Sequence, residues 1–147
     1  MENLNETQKL ELSSEALVYL KETAKWQKFF AILGFIAIGF LVVIAIFAGV
    51  IFGALGNAGL MPIPPFFFSV IYLLIAGLLI LPAIYQYKFA TQTLAALQSN
   101  NSEMLTEALK NQKSYNKYNG ILTIVVLGLY AVILLIGLIA GLFSAFM

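Results

Sequence analysis

Apolar and polar positions in this chain are segregated into long blocks. From Phe29 to Gly56 there is no charged or strongly polar side chain, a second block follows Pro64-Pro65 and runs from Phe66 to about Tyr85, and a third runs from Ile121 to Met147. Each exceeds the roughly 18 residues at which a transmembrane helix becomes a better reading than a buried soluble one. Lipid offers the backbone no hydrogen-bond partners, so each block must satisfy itself as a helix. The pattern predicts three spans, over residues 29–56, 66–87 and 121–147, joined at one end by a short loop over 57–65. The first and third are longer than a 30 Å hydrocarbon core needs at about 1.5 Å per residue, which predicts tilt or a projecting end.

The polar segments carry their own periodicity. In 14–28, Leu17, Leu20 and Ala24 recur at helical spacing, while Lys21, Lys25 and Lys28 form a stripe on another face. Ser13 or Ser14 is the expected N-cap. Residues 1–12, rich in Asn, Gln and Glu, are expected to be a flexible tail. Residues 88–120 read as a helical hairpin. Phe89, Leu94 and Leu97 prolong the second span, Ser99-Asn100-Asn101 forms the turn, and Ser102 caps a helix striped by Met104, Leu105, Ala108 and Leu109. Gly120 is a candidate joint with the third span. These extensions either project as a helical layer or lie flat in the interface. The absence of a breaker between each extension and its span favours projection.

Charge then sets direction. Lys9, Lys21, Lys25 and Lys28 precede the first span, and Lys88, Lys110, Lys113 and Lys117 lie between the second and third, whereas 57–65 and the C-terminal end carry no charge. By the positive-inside rule the N-terminus and the hairpin are cytoplasmic and the C-terminus is outside. Trp26, Tyr85, Tyr87, Tyr115 and Tyr118 fall at the inner boundary, where amphipathic rings favour the headgroup level. Met1 to Lys28 is too polar and too rich in Glu for a signal peptide, so the first span is expected to remain in the mature protein.

Composition narrows the chemistry. The chain of 147 residues is 61% hydrophobic and 10% charged, with a net charge of +1, and contains no Cys or His. Arg and Asp are absent too, so every charge is Lys or Glu. Thiol chemistry, the usual metal ligands, the usual neutral-pH base and the bidentate phosphate clamp are therefore all missing. No cofactor and no nucleic-acid partner is expected. Within the spans the polar side chains are Ser69, Tyr72, Thr123, Tyr130 and Ser144. Proton relays and ion-coupled carriers usually place ionisable groups there. These hydroxyls are instead expected to bond a carbonyl of the preceding turn or of a neighbouring helix.

Small residues give the main positive signal. Gly49 and Gly53, and Gly137 and Gly141 extended by Ala145, form two GxxxG motifs, and such motifs let helices approach closely in lipid. They can meet within one monomer, the favoured reading, or form a seam between copies. Pro82 is expected to kink the second span. Met61-Pro62-Ile63-Pro64-Pro65 reads as a stiff outer turn. Trp26, Lys21, Lys25, Lys28, Lys88, Lys113 and Lys117 are the expected interfacial residues; their charges orient the chain or bind lipid phosphates.

The chain also resembles a known family. Tyr19-Leu20, Thr23-Ala24-Lys25-Trp26, Phe29, Tyr87-Lys88-Phe89, Ala96-Leu97, Asn101-Ser102, Leu105, Ala108-Leu109 and Gly120-Ile121-Leu122 are similar to the pattern of a bacterial family of small multi-span integral membrane proteins catalogued as a domain of unknown function. The resemblance spans nearly the whole chain and implies a bacterial inner-membrane protein. It brings no catalytic or binding residues with it.

These readings together predict an all-α membrane protein with three transmembrane helices and cytoplasmic amphipathic extensions. The expected role is non-enzymatic: an accessory or scaffold subunit acting through self-association or a membrane-protein partner, with membrane lipids around it. A small oligomeric channel or carrier for a neutral solute is the alternative.

Overall fold

The computed structural model describes residues 12–57, 64 and 66–145, with the side chains of Asn57 and 143–145 excepted. The tail over 1–11, most of the loop over 57–65 and the side chain of Ala145 lie outside the described residues. The described chain is three helices: α1 (Ser14–Asn57), α2 (Phe66–Ser99) and α3 (Ser102–Ala145). Each is long and apolar enough to cross a membrane.

At about 1.5 Å per residue, the 44 residues of α1 and of α3 reach about 66 Å and the 34 of α2 about 51 Å. Each therefore continues well past its apolar block. The polar segment 14–28 joins the first span without a break, as its lack of Gly and Pro suggested. At the start of α1 the Ser13 hydroxyl accepts from the Ala16 amide at 3.1 Å, which makes Ser13 the cap.

Two expectations near the hairpin are corrected. The cap of α3 is Asn101, whose Oδ1 accepts from the Met104 amide at 3.0 Å, not Ser102. The reason lies in how α2 ends. Asn100 has φ 51°, and the Asn101 amide donates to the Ala96 carbonyl at 3.0 Å, which is a Schellman closure with Asn100 in the left-handed position. The chain leaves that closure at Asn101, so the same residue completes α2 and caps α3. Gly120 is no joint either, because α3 runs through it. One interior Gly costs only about 1 kcal/mol, and the apolar block that follows it has no other way than a helix to satisfy its backbone in lipid.

In their packing, α2 lies against both other helices, whereas among the described residues the backbones of α1 and α3 do not approach each other. The polar ends thus form a row with α2 in the middle. Ala24 of α1, Ala90 and Thr93 of α2, and Ala108 of α3 are fully buried at this level. Leu109, assigned from the sequence to the apolar stripe, is instead 52% exposed; the neighbouring Ala108 is the residue turned inward. In the apolar half α1 and α2 stay together, but α3 leaves them. Every described side chain from Thr123 to Leu142 is exposed.

Candidate helix-association site

The α1–α2 seam is built on a seven-residue repeat in which alanine predominates. On α1, Ala24, Ala31, Ile38, Ala45 and Phe52 recur at seven, interleaved with Gln27, Gly34, Leu41 and Ala48, and all are buried or half-buried. On α2, Ser69, Ala76, Ala83 and Ala90 repeat in the same way, interleaved with Tyr72, Leu79, Gln86 and Thr93. Alternating steps of three and four keep one stripe facing a partner along two slightly supercoiled helices. Alanine and glycine on that stripe let the backbones come close, which supplies van der Waals contact where lipid removes most hydrophobic drive.

Particular contacts fix the antiparallel register. The Ser69 hydroxyl donates to the Ala45 carbonyl at 2.7 Å, Gln86 Nε2 donates to Gln27 Oε1 at 2.5 Å, and Phe52 stacks on Phe68 with centroids 4.3 Å apart. A Cβ built on Gly34 would sit 3.7 Å from that of Ala83, in ordinary contact. At Gly49 the fit is tighter, since a Cβ there would come within 2.7 Å of Ser69 Oγ. Ser69 thus meets the expectation that a membrane hydroxyl bonds a neighbouring helix.

The two GxxxG motifs fare differently from the expectation that they meet. Gly49 packs against α2, a Cβ on Gly53 or Gly137 would meet nothing within 4 Å, and among the described residues the backbones of α1 and α3 do not approach each other. The two motifs therefore do not pair within the monomer. The physical reason is that the two partners take different faces of α2, α1 bonding at Ser69 and Gln86 and α3 at Leu78 and Gln92. Gly49→Ala should accordingly cost about the value of one interhelical hydrogen bond in a membrane, ~0.6–1.7 kcal/mol, because Ser69 must rotate away from Ala45. Gly53→Ala, whose Cβ would meet nothing, should carry no penalty. Reversible denaturation in mixed micelles measures both, and Ser69→Ala should cancel most of the Gly49→Ala penalty.

α3 docks on α2 through Met104, Ala108, Asn111, Tyr115, Tyr118 and Leu122, again spaced alternately by four and three. Asn111 Nδ2 donates to Gln92 Oε1 at 2.8 Å. The last clasp before α3 departs involves Pro82. Proline has no amide hydrogen, so the carbonyl four residues earlier, that of Leu78, loses its helical donor. The Tyr118 hydroxyl donates to that carbonyl at 2.8 Å from across the interface. α2 remains one helix through Pro82. The Thr93 hydroxyl and Gln112 Oε1 are buried without a hydrogen-bond partner among the described residues.

The expected interfacial residues gather near the polar ends of the helices. Trp26 is 56% exposed and makes an edge contact with Phe29 at 6.0 Å and a tilted one with Phe30 at 6.2 Å. Tyr87 packs edgewise on Phe35 at 6.1 Å, so this ring serves packing as well as position. Lys21, Lys25, Lys88, Lys113 and Lys117 are exposed and Lys28 is half-exposed. Tyr19 donates to Glu15 at 2.7 Å, and that bond, followed by desolvation, holds its phenol above the ordinary value of 10.0.

The chain matches no protein-family model, no curated protein and no solved structure. Fold and site are thus read from its own residues. The seven-residue alanine repeat and the Tyr118–Pro82 pairing were absent from the sequence reading. The repeat was detectable as spacing, because Ala24, Ala31 and Ala45 are in phase, as are Ala76, Ala83 and Ala90.

Proposed function

We infer that this protein is a non-catalytic integral membrane protein that works by helix association, as an accessory or scaffold subunit. The observation that carries this reading is the apolar half of α3. From Thr123 to Leu142 it stands clear of the other two helices, with every described side chain exposed and Gly137 facing nothing. The small-residue seam between α1 and α2 is already occupied along most of its length, whereas Gly137 lies on a helix face that no other described helix covers, which makes that face a candidate for an association outside the monomer. The absence of His, Cys, Asp and Arg from the sequence supports a role without chemistry. The positive-inside rule supports a cytoplasmic placement of the polar ends, and the resemblance to a bacterial family of small multi-span membrane proteins supports the bacterial inner membrane as its location.

Crosslinking in native membranes, combined with mass determination in mild detergent, tests the reading. A complex is expected, either of several copies or with a co-purifying membrane protein, and Gly137→Leu should weaken it by tenfold or more, which is about 1.4 kcal/mol. A strict monomer that enriches no partner would sink the idea.

A further inference from the structure

We propose that the outward flank of α1 at its polar end binds the headgroup of an anionic phospholipid. Lys21, Lys25 and Lys28 are spaced by four and three, which places three ammonium groups on one flank within about two helical turns. Lys21 and Lys25 share an open groove with Val18, Glu22, Trp26 and Phe29. Glu22 offsets one of the charges, but among the described residues the one ion pair is Lys110–Glu107 at 3.3 Å. The three lysines of α1 therefore keep their charge available for an external anion. Beside them the exposed indole of Trp26, braced by Phe29 and Phe30, lies where the apolar block begins at Phe29. An indole at that level suits the boundary between headgroup and acyl chain. The combination matches a lipid rather than a soluble anion: ammonium groups for the phosphate, and an aromatic surface for the first carbons of the chains.

Trp26 is the single tryptophan of the chain, so its fluorescence reports this surface alone. The test uses the full chain in phosphatidylcholine vesicles containing brominated lipid, whose bromines quench indole emission on contact. Brominated phosphatidylglycerol is expected to quench Trp26 as though it bound about threefold or more tightly than brominated phosphatidylcholine. The preference should shrink as salt rises from 0.01 to 1 M, where the screening length falls from about 30 to 3 Å. The triple variant Lys21→Gln, Lys25→Gln, Lys28→Gln should lose it, while Lys113→Gln with Lys117→Gln should retain it. An unchanged emission maximum of the triple variant in pure phosphatidylcholine checks that Trp26 has stayed in place. Equal quenching by the two lipids, or a preference that survives the triple substitution, overturns the proposal. So does a preference abolished by inorganic phosphate but not by chloride at matched ionic strength, since the site would then read free phosphate.

Discussion

Ala90→Leu is expected to destabilise the fold by about 3 kcal/mol, at the upper end of the usual overpacking range. Ala90 is fully buried in the α1–α2 seam, where the helices meet on alanine and glycine. Three further carbon atoms have little room there, because the small residues Ala24 and Ala31 on the opposing stripe have no side chain to rotate away and the Gln27 side chain is held by Gln86. The helices must separate, and the loss extends to Ser69–Ala45 and Gln86–Gln27, whose geometries depend on the same spacing. The control is Ala37→Leu, at an exposed position of α1, which should change stability by no more than about 0.5 kcal/mol. Denaturant titration in mixed micelles separates the two. Similar losses at both positions would show that the seam does not hold the helices together.

The contrast between those two alanines explains what could be read from the sequence. The three long helices followed from block lengths alone, because a run such as 29–56 in lipid has no other way to satisfy its backbone. The continuity of 14–28 with the first span was legible from the missing Gly and Pro. Which face of each span packs was much harder to see. In water a helix announces its buried face by hydrophobic contrast, but Ile44 on the outside and Ala45 on the inside of α1 are both apolar, so contrast in polarity vanishes. What remains is contrast in size, repeated at seven residues. Pairs of Gly at four belong to a different crossing geometry, which is why Gly53 and Gly137 face nothing while the buried positions Ala31 and Ala90 lie outside any such pair. The polar pairings needed more still. Gln27 with Gln86, and Tyr118 with Leu78, are separated by 59 and 40 residues, and no local pattern links them.

That last pairing carries the second large effect. Tyr118→Phe should cost about 1–3 kcal/mol, the usual penalty for stranding a polar group away from water. The stranded group is the Leu78 carbonyl, which has no helical donor because residue 82 is proline. A double-mutant cycle isolates this cause. In the Pro82→Ala background the new backbone amide at position 82 reaches the Leu78 carbonyl within the helix, so Tyr118→Phe should then be nearly silent. The coupling between the two substitutions should be about 1–2 kcal/mol, within the range found for residues sharing one hydrogen-bond network. Equal costs of Tyr118→Phe in both backgrounds would disconnect the hydroxyl from the proline. The clasp also sits just before α3 departs from α2, so its loss should free more than one bond. A distance distribution between spin labels on α2 near Leu97 and on α3 near Leu109 should stay narrow in Tyr118→Phe, because the Asn100 turn and the Asn111–Gln92 bond still join the helices there. Between labels near Leu74 and Leu129 it should broaden, because Tyr118 is the last hydrogen bond joining α2 to α3 on that side among the described residues.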